Sequence, residues 1–117
     1  MLNPEHVPIP FQAALLPPGP WLVFAPHADD ETFGMGGSLL KAKNEGIETH
    51  LVVLTDGALG GESEDLVKVR EEEVNQAAQL LGIKSLHCWS EPDRGLDYNE
   101  SLVGKITDTI RTLAPAV

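Results

Sequence analysis

The sequence predicts an α/β fold, a Rossmann-like parallel sheet with flanking helices. Three observations carry this prediction. Apolar, strand-like runs alternate with segments of helical periodicity. The strand starts lie roughly thirty residues apart with a helix in each gap, the size of a βαβ crossover. Each strand-like run also ends in a polar, glycine-bearing loop, the arrangement expected where the carboxyl ends of parallel strands share one edge.

Taken in order, the chain opens on a proline-rich arm: six of its nine prolines fall within residues 1–20, in "NPEHVPIPFQAALLPPGP". Proline withholds a backbone donor and fixes φ, so this stretch suits an extended arm. The domain proper, residues 21–117, begins at Trp21 with a first strand, "WLVFA", at 21–25. "GGSLLKAKNEG" then reads as a short helix capped by Gly46, and "THLVVLT" at 49–55 as the second strand. Ser63 is a good N-cap for a longer helix whose apolar face would be Leu66, Val69, Val74, Ala77 and Leu81, closed by Gly82. "LHCW" at 86–89 is the third strand. A last helix starts at Asn99, presents Leu102, Ile106, Ile110 and Leu113, and stops before Pro115. Ala116 and Val117 look like the start of a fourth strand, so the sheet reads as truncated and 21–117 as the N-terminal portion of a domain.

Charge and composition exclude whole classes of function. The formal charge is -10, from 18 acidic against 8 basic residues, and gives no basic patch for nucleic acid or an anionic membrane. No apolar run approaches the length of a membrane span, and no basic stretch followed by an apolar segment opens the chain. The single cysteine, Cys88, allows no internal disulfide and reads as a small buried hydrophobe. A cytoplasmic protein is expected, with room for a homo-oligomer.

The chemistry concentrates in the first polar loop, "PHADDETFGMGG". Zinc is held by imidazole nitrogen and carboxylate oxygen, and His27 and Asp30 stand three residues apart, as in a turn or the start of a helix, so both can face one point. Asp29 between them could then act as general base toward water. The residues leave a second account open, in which the aspartates cap the next helix and His27 is merely exposed. The glycines of "GMGGS" fit neither the dinucleotide fingerprint nor the P-loop, and tight packing of the helix start explains them better. Asp56, in "TDG" after the second strand, reads as a turn residue with a secondary claim on the site. His50 and His87 lie within strand-like runs, before the carboxyl ends, and His6 lies in the arm. Trp21 and Trp89 read as core or sheet-face residues.

"APHADDETFGMGG", then "LTDGALGGE", "VREEE", "LLGI" and "EPDRGLD" resemble, in order and spacing, the N-terminal part of the LmbE-like, or PIG-L, zinc-dependent N-acetylglucosaminyl deacetylases. The resemblance runs from Trp21 to the end of the chain. It departs at Ala28, where proline is commonest in the family, a position that gives no ligand atom. It implies His27 and Asp30 as metal ligands, Asp29 as general base, and Arg70 and Asp93 as sugar contacts. From sequence alone, Arg70 in "VREEE" is a surface cation. The family's third ligand is a histidine in a later His- and Asp-rich loop, as is a second histidine that stabilises the tetrahedral intermediate. Neither is found in these residues, so zinc or another divalent metal should be weakly held and the chain alone inactive.

The leading expectation is a metal-dependent hydrolase that removes acetyl from an N-acetylated amino sugar, an N-acetylglucosamine derivative. The alternative is a non-catalytic sugar- or metal-binding Rossmann-like module. A nucleotide-binding domain is disfavoured, since no glycine fingerprint follows a strand in the required order.

Overall fold

The computed structural model describes residues 15–27, 30–55, 64–91 and 99–117, with the backbone alone at 30–33, 64, 66, 67 and 90. The elements run β1 (Trp21–Ala25), α1 (Asp30–Asn44), β2 (Thr49–Thr55), α2 (Glu64–Leu80), β3 (Ser85–Glu91) and α3 (Glu100–Leu113). The strands form one parallel sheet in the order β1-β2-β3, as the alternation of apolar runs and helical segments predicts. The limits of β1 and β2 fall where the sequence puts them, and β3 is longer at both ends than "LHCW".

Register explains which side chains meet. Trp21 lies opposite Thr49 and Ala25 opposite Val53, while Leu51 pairs with Leu86 and Val53 with Cys88. Successive strand residues point to opposite faces, so Trp21, Val23, Ala25, Thr49, Leu51, Val53 and Leu86 share one. Helices α1 and α2 both cover that face. Leu39 and Ala42 of α1 join Trp21 and Leu81 in one cluster, and Val74 of α2 joins Ala25, Leu51 and Val53 in a second. Full burial of Leu39 or Leu51 stabilises the fold by about 1.5–3 kcal/mol each.

The opposite face carries Phe24, Val52, His87 and Trp89, and α3 lies over it. The Trp89 ring packs edge-on to Phe24, centroids 6.1 Å apart, and the Lys105 ammonium of α3 sits 5.0 Å from the Trp89 centroid. Lys105 also reaches Glu91 Oε1 at 3.2 Å. Asn99 caps α3, accepting at Oδ1 from the Leu102 amide at 2.7 Å, and Ala114 ends it in the left-handed region at φ 45°. No α3 residue is fully buried, and Ile110 of its apolar stripe is 43% exposed.

Gly82 ends the α2 turn at φ +70°, a backbone state that favours glycine, and a Cβ there would stand 2.7 Å from Lys43 Cγ. The same Lys43 donates from Nζ to the Leu80 carbonyl at 3.0 Å, tying the end of α2 to α1. At the outer edge of β1, the Leu22 amide donates to the Val117 carbonyl and the Ala116 amide to the Pro20 carbonyl, each at 2.8 Å. Residues 116–117 thus run beside β1 on the side away from β2, where the sequence predicts a fourth strand to begin.

Several expectations are corrected. α1 starts at Asp30, so most of the segment read as a loop is helix, and Gly34 and Gly37 face open space, which removes tight packing as the reason for glycine at those two positions. The buried stripe of α2 is Val74, Ala78 and Leu81, a spacing of four and three residues, whereas Val69 is 47% exposed. Cys88 is exposed rather than buried, because β3 is the outer strand among the described residues and the helix cover centres on β1 and β2.

Candidate functional site

Because the strands are parallel, Ala25, Thr55 and Glu91 end at one edge of the sheet. His27 follows two residues after β1 and is exposed there, and Asp30 is the first residue of α1. Both therefore occupy the crevice edge at which open α/β sheets bind ligands. Acidic residues at a helix start also lie in the favourable end of its dipole.

The turn carrying His27 is fixed from β2. The Thr55 amide donates to the Pro26 carbonyl at 3.0 Å, and the Thr55 hydroxyl donates to the same carbonyl at 2.9 Å. Thr55 is only 4% exposed, so water competes little for these bonds. In the sequence this residue reads only as the end of a strand. The signal that could have found it is a hydroxyl residue at the carboxyl end of the central strand, beside "DG".

Arg70 is half-buried on α2. One turn further on, Val74 packs with Ala25, the last residue of β1. Since α2 descends from the carboxyl edge, Arg70 lies one turn nearer that edge than Val74, on the same stripe. The structure thus brings His27, Asp30 and Arg70 to one edge. Asp29, Asp56 and Asp93 lie outside the described residues.

His50 and His87 stand elsewhere. His50 lies near the amino end of β2, 5% exposed, with Nε2 3.1 Å from Glu48 Oε2 and Nδ1 2.5 Å from Ser85 Oγ. Lys84 Nζ also donates to Glu48 Oε1. Glu48 titrates below the usual carboxylate range, first through the Lys84 hydrogen bond and then through His50. The carboxylate can only accept, so His50 donates from Nε2 to Glu48. His87 is exposed on β3 in a cleft it shares with Asp108, Thr109, Thr112 and Leu113 of α3.

Among the described residues, no three His, Cys, Asp or Glu side chains gather closely enough to hold a metal together. The donor types at the β1 edge, an imidazole residue after the strand and a carboxylate residue at the helix start three positions on, fit a divalent cation such as zinc.

Known proteins resemble this chain over most of its length. The family model PIG-L, described as GlcNAc-PI de-N-acetylase, matches residues 22–117. Diacetylchitobiose deacetylase of Thermococcus kodakarensis is 34% identical over 101 residues, covering 82% of this chain and 38% of that protein. A probable N-acetyl-alpha-D-glucosaminyl L-malate deacetylase of Bacillus anthracis is 31% identical over 85 residues, covering 66% of this chain and 38% of its own length. The solved N,N'-diacetylchitobiose deacetylase of Pyrococcus horikoshii superposes with a TM-score of 0.72 at 32% identity, over 79% of this chain and 36% of that one. The chain thus spans about two fifths of the length of the curated relatives it matches. With matched residues running from the second position of β1 to Val117, this chain belongs to the PIG-L family of de-N-acetylases.

Proposed function

We propose that this chain contributes the β1-edge part of a metal-dependent deacetylase that hydrolyses the N-acetyl group of an N-acetylated amino sugar. The observation that carries the reading is the placement of His27 just beyond β1 and of Asp30 at the start of α1, with the Pro26 carbonyl before His27 held by two hydrogen bonds from Thr55, in a chain of this family. The substrate class, N-acetylglucosamine derivatives, follows the relatives named for diacetylchitobiose and for N-acetylglucosaminyl malate. The single cysteine, which asks for no oxidising compartment, supports a cytoplasmic location.

In this reading His27 and Asp30 hold zinc or another divalent cation, His27 through a neutral imidazole nitrogen and Asp30 through its carboxylate. When bound, such an ion supplies Lewis acidity, lowering the pKa of water and polarising the acetamide carbonyl. Asp29 takes the proton of the attacking water and returns it to the amine as the C–N bond breaks, so acetate and a free amino sugar leave. Arg70 and Asp93 hold the sugar by hydrogen bonds. The third protein ligand usual for catalytic zinc is assigned to none of the described histidines beyond His27, since His50 is occupied near the amino end of β2 and His87 faces α3.

The test is an amine-release assay on N,N'-diacetylchitobiose and N-acetylglucosaminyl malate with the complete gene product, alongside its metal content. Release of amine that stops on chelation and returns with zinc is expected. Stoichiometric sugar binding without amine release would favour the non-catalytic module.

A further inference from the structure

We propose that Thr55 is a positioning residue for His27, acting through the Pro26 carbonyl; its consequence for metal affinity rests on the reading of His27 as a ligand. The Thr55 amide carries the β1–β2 hydrogen-bond ladder one step beyond Ala25, where β1 ends. That bond alone would close the ladder. The hydroxyl adds a second donor, at 2.9 Å, to the same oxygen, so both lone pairs of one carbonyl are bound by one residue.

The choice of carbonyl matters. The Pro26 C=O and the His27 N–H belong to one planar peptide unit, so fixing the oxygen fixes the orientation of the plane that delivers His27. Pro26 has no N–H and a locked φ, so its carbonyl is the one hydrogen-bonding backbone group that Pro26 itself offers. Threonine is stiff at χ1, and this one is 4% exposed, so its hydroxyl has few other orientations and little competition from water. The neighbouring register shift between β2 and β3 falls at Val53/Thr55, with one extra residue on β3. Such bulges re-aim side chains at strand ends. A threonine that merely ended its strand would need only the amide bond, which any residue supplies.

The experiment compares the wild-type chain with Thr55→Val, Thr55→Ser and His27→Ala. The first readout is metal-free: NMR relaxation of the His27 ring, with Thr49→Val as a control at the other end of β2. Thr55→Val should mobilise the His27 ring while Thr55→Ser and Thr49→Val leave it as in wild type. The second is zinc affinity by chelator competition, expected to fall about three- to tenfold in Thr55→Val, the fold-change of one net hydrogen bond, and to be restored in Thr55→Ser. In the wild type the Thr55 hydroxyl proton should exchange with water slowly enough to be observed, a measurement that does not depend on any variant folding. Rapid hydroxyl exchange, or a folded Thr55→Val with an unchanged His27 ring, would overturn the proposal. If His27→Ala leaves zinc affinity unchanged, the ligand reading of His27 fails, and the metal-free relaxation still decides the role of Thr55.

Discussion

Buried His50 and partly exposed Glu48 face each other at 3.1 Å, Nε2 to Oε2, within a chain of polar contacts that runs from Ser85 through His50 and Glu48 to Lys84. It joins the starts of β2 and β3 near the amino end of the sheet, far along the strands from the candidate site. Lys84, and after it His50, hold the Glu48 carboxyl below its usual value. A carboxylate with a depressed folded-state pKa adds stability above its unfolded pKa and loses it as pH falls through the folded one. Thermal unfolding of wild type and Glu48→Gln from about pH 3 to 7 should therefore show the largest difference near neutrality, closing as acid protonates Glu48. A constant difference across that range would show that the contact is not ionic.

Thr49 presents a different case on the same strand. Its Oγ1 is buried without a hydrogen-bond partner among the described residues, beside Trp21 in register. A buried hydroxyl left unpaired costs about 1–3 kcal/mol. Thr49→Val, which keeps the shape, should raise the unfolding free energy by about 1 kcal/mol in denaturant titration. A loss of stability would reveal a partner for the hydroxyl.

For α3, Asn99→Ala removes the acceptor that satisfies the Leu102 amide. The expected cost is about 0.5–2 kcal/mol, largely recovered in Asn99→Asp, which keeps a capping oxygen. Hydrogen exchange at Leu102 should rise in the alanine variant alone.

The elements legible in the sequence were those with an unambiguous boundary. "WLVFA" and "THLVVLT" are unbroken runs of strand-forming residues, so β1 and β2 end where the runs do. β3 outran its apolar segment because Ser85, Ser90 and Glu91 take strand geometry through pairing and a bulge, which composition does not show. The sequence places the start of α1 too late, at the glycine run that disfavours helix, yet the helix starts at Asp30 and carries Gly34, Gly36 and Gly37. Periodicity predicts α2 but puts Val69 on its buried side, whereas at about 100° per residue Val69 stands roughly 140° around the helix from buried Val74. Of the candidate site, the spacing of His27 and Asp30 leaves metal binding and helix capping both open, the place of Arg70 near the same edge follows from the descent of α2, and Thr55 needed the position of the Pro26 carbonyl.

In this chain alone, His27→Ala should abolish zinc binding at the β1 edge, and binding by the wild type should be weak, because two protein ligands leave a divalent ion mostly to water. Calorimetry decides this. Tight, stoichiometric zinc that survives His27→Ala would place the metal elsewhere.

The assignment of separate roles to adjacent aspartates is the centre of the account, and one paired measurement tests it: zinc content and amine release of Asp29→Asn and Asp30→Asn in the complete gene product. Asp29→Asn should keep its zinc and lose roughly 10² to 10⁴ in turnover, the effect of removing a general base. Asp30→Asn should lose zinc itself, because a neutral amide oxygen is a poorer ligand than a carboxylate. The reverse pattern, or wild-type turnover in Asp29→Asn, would contradict the account.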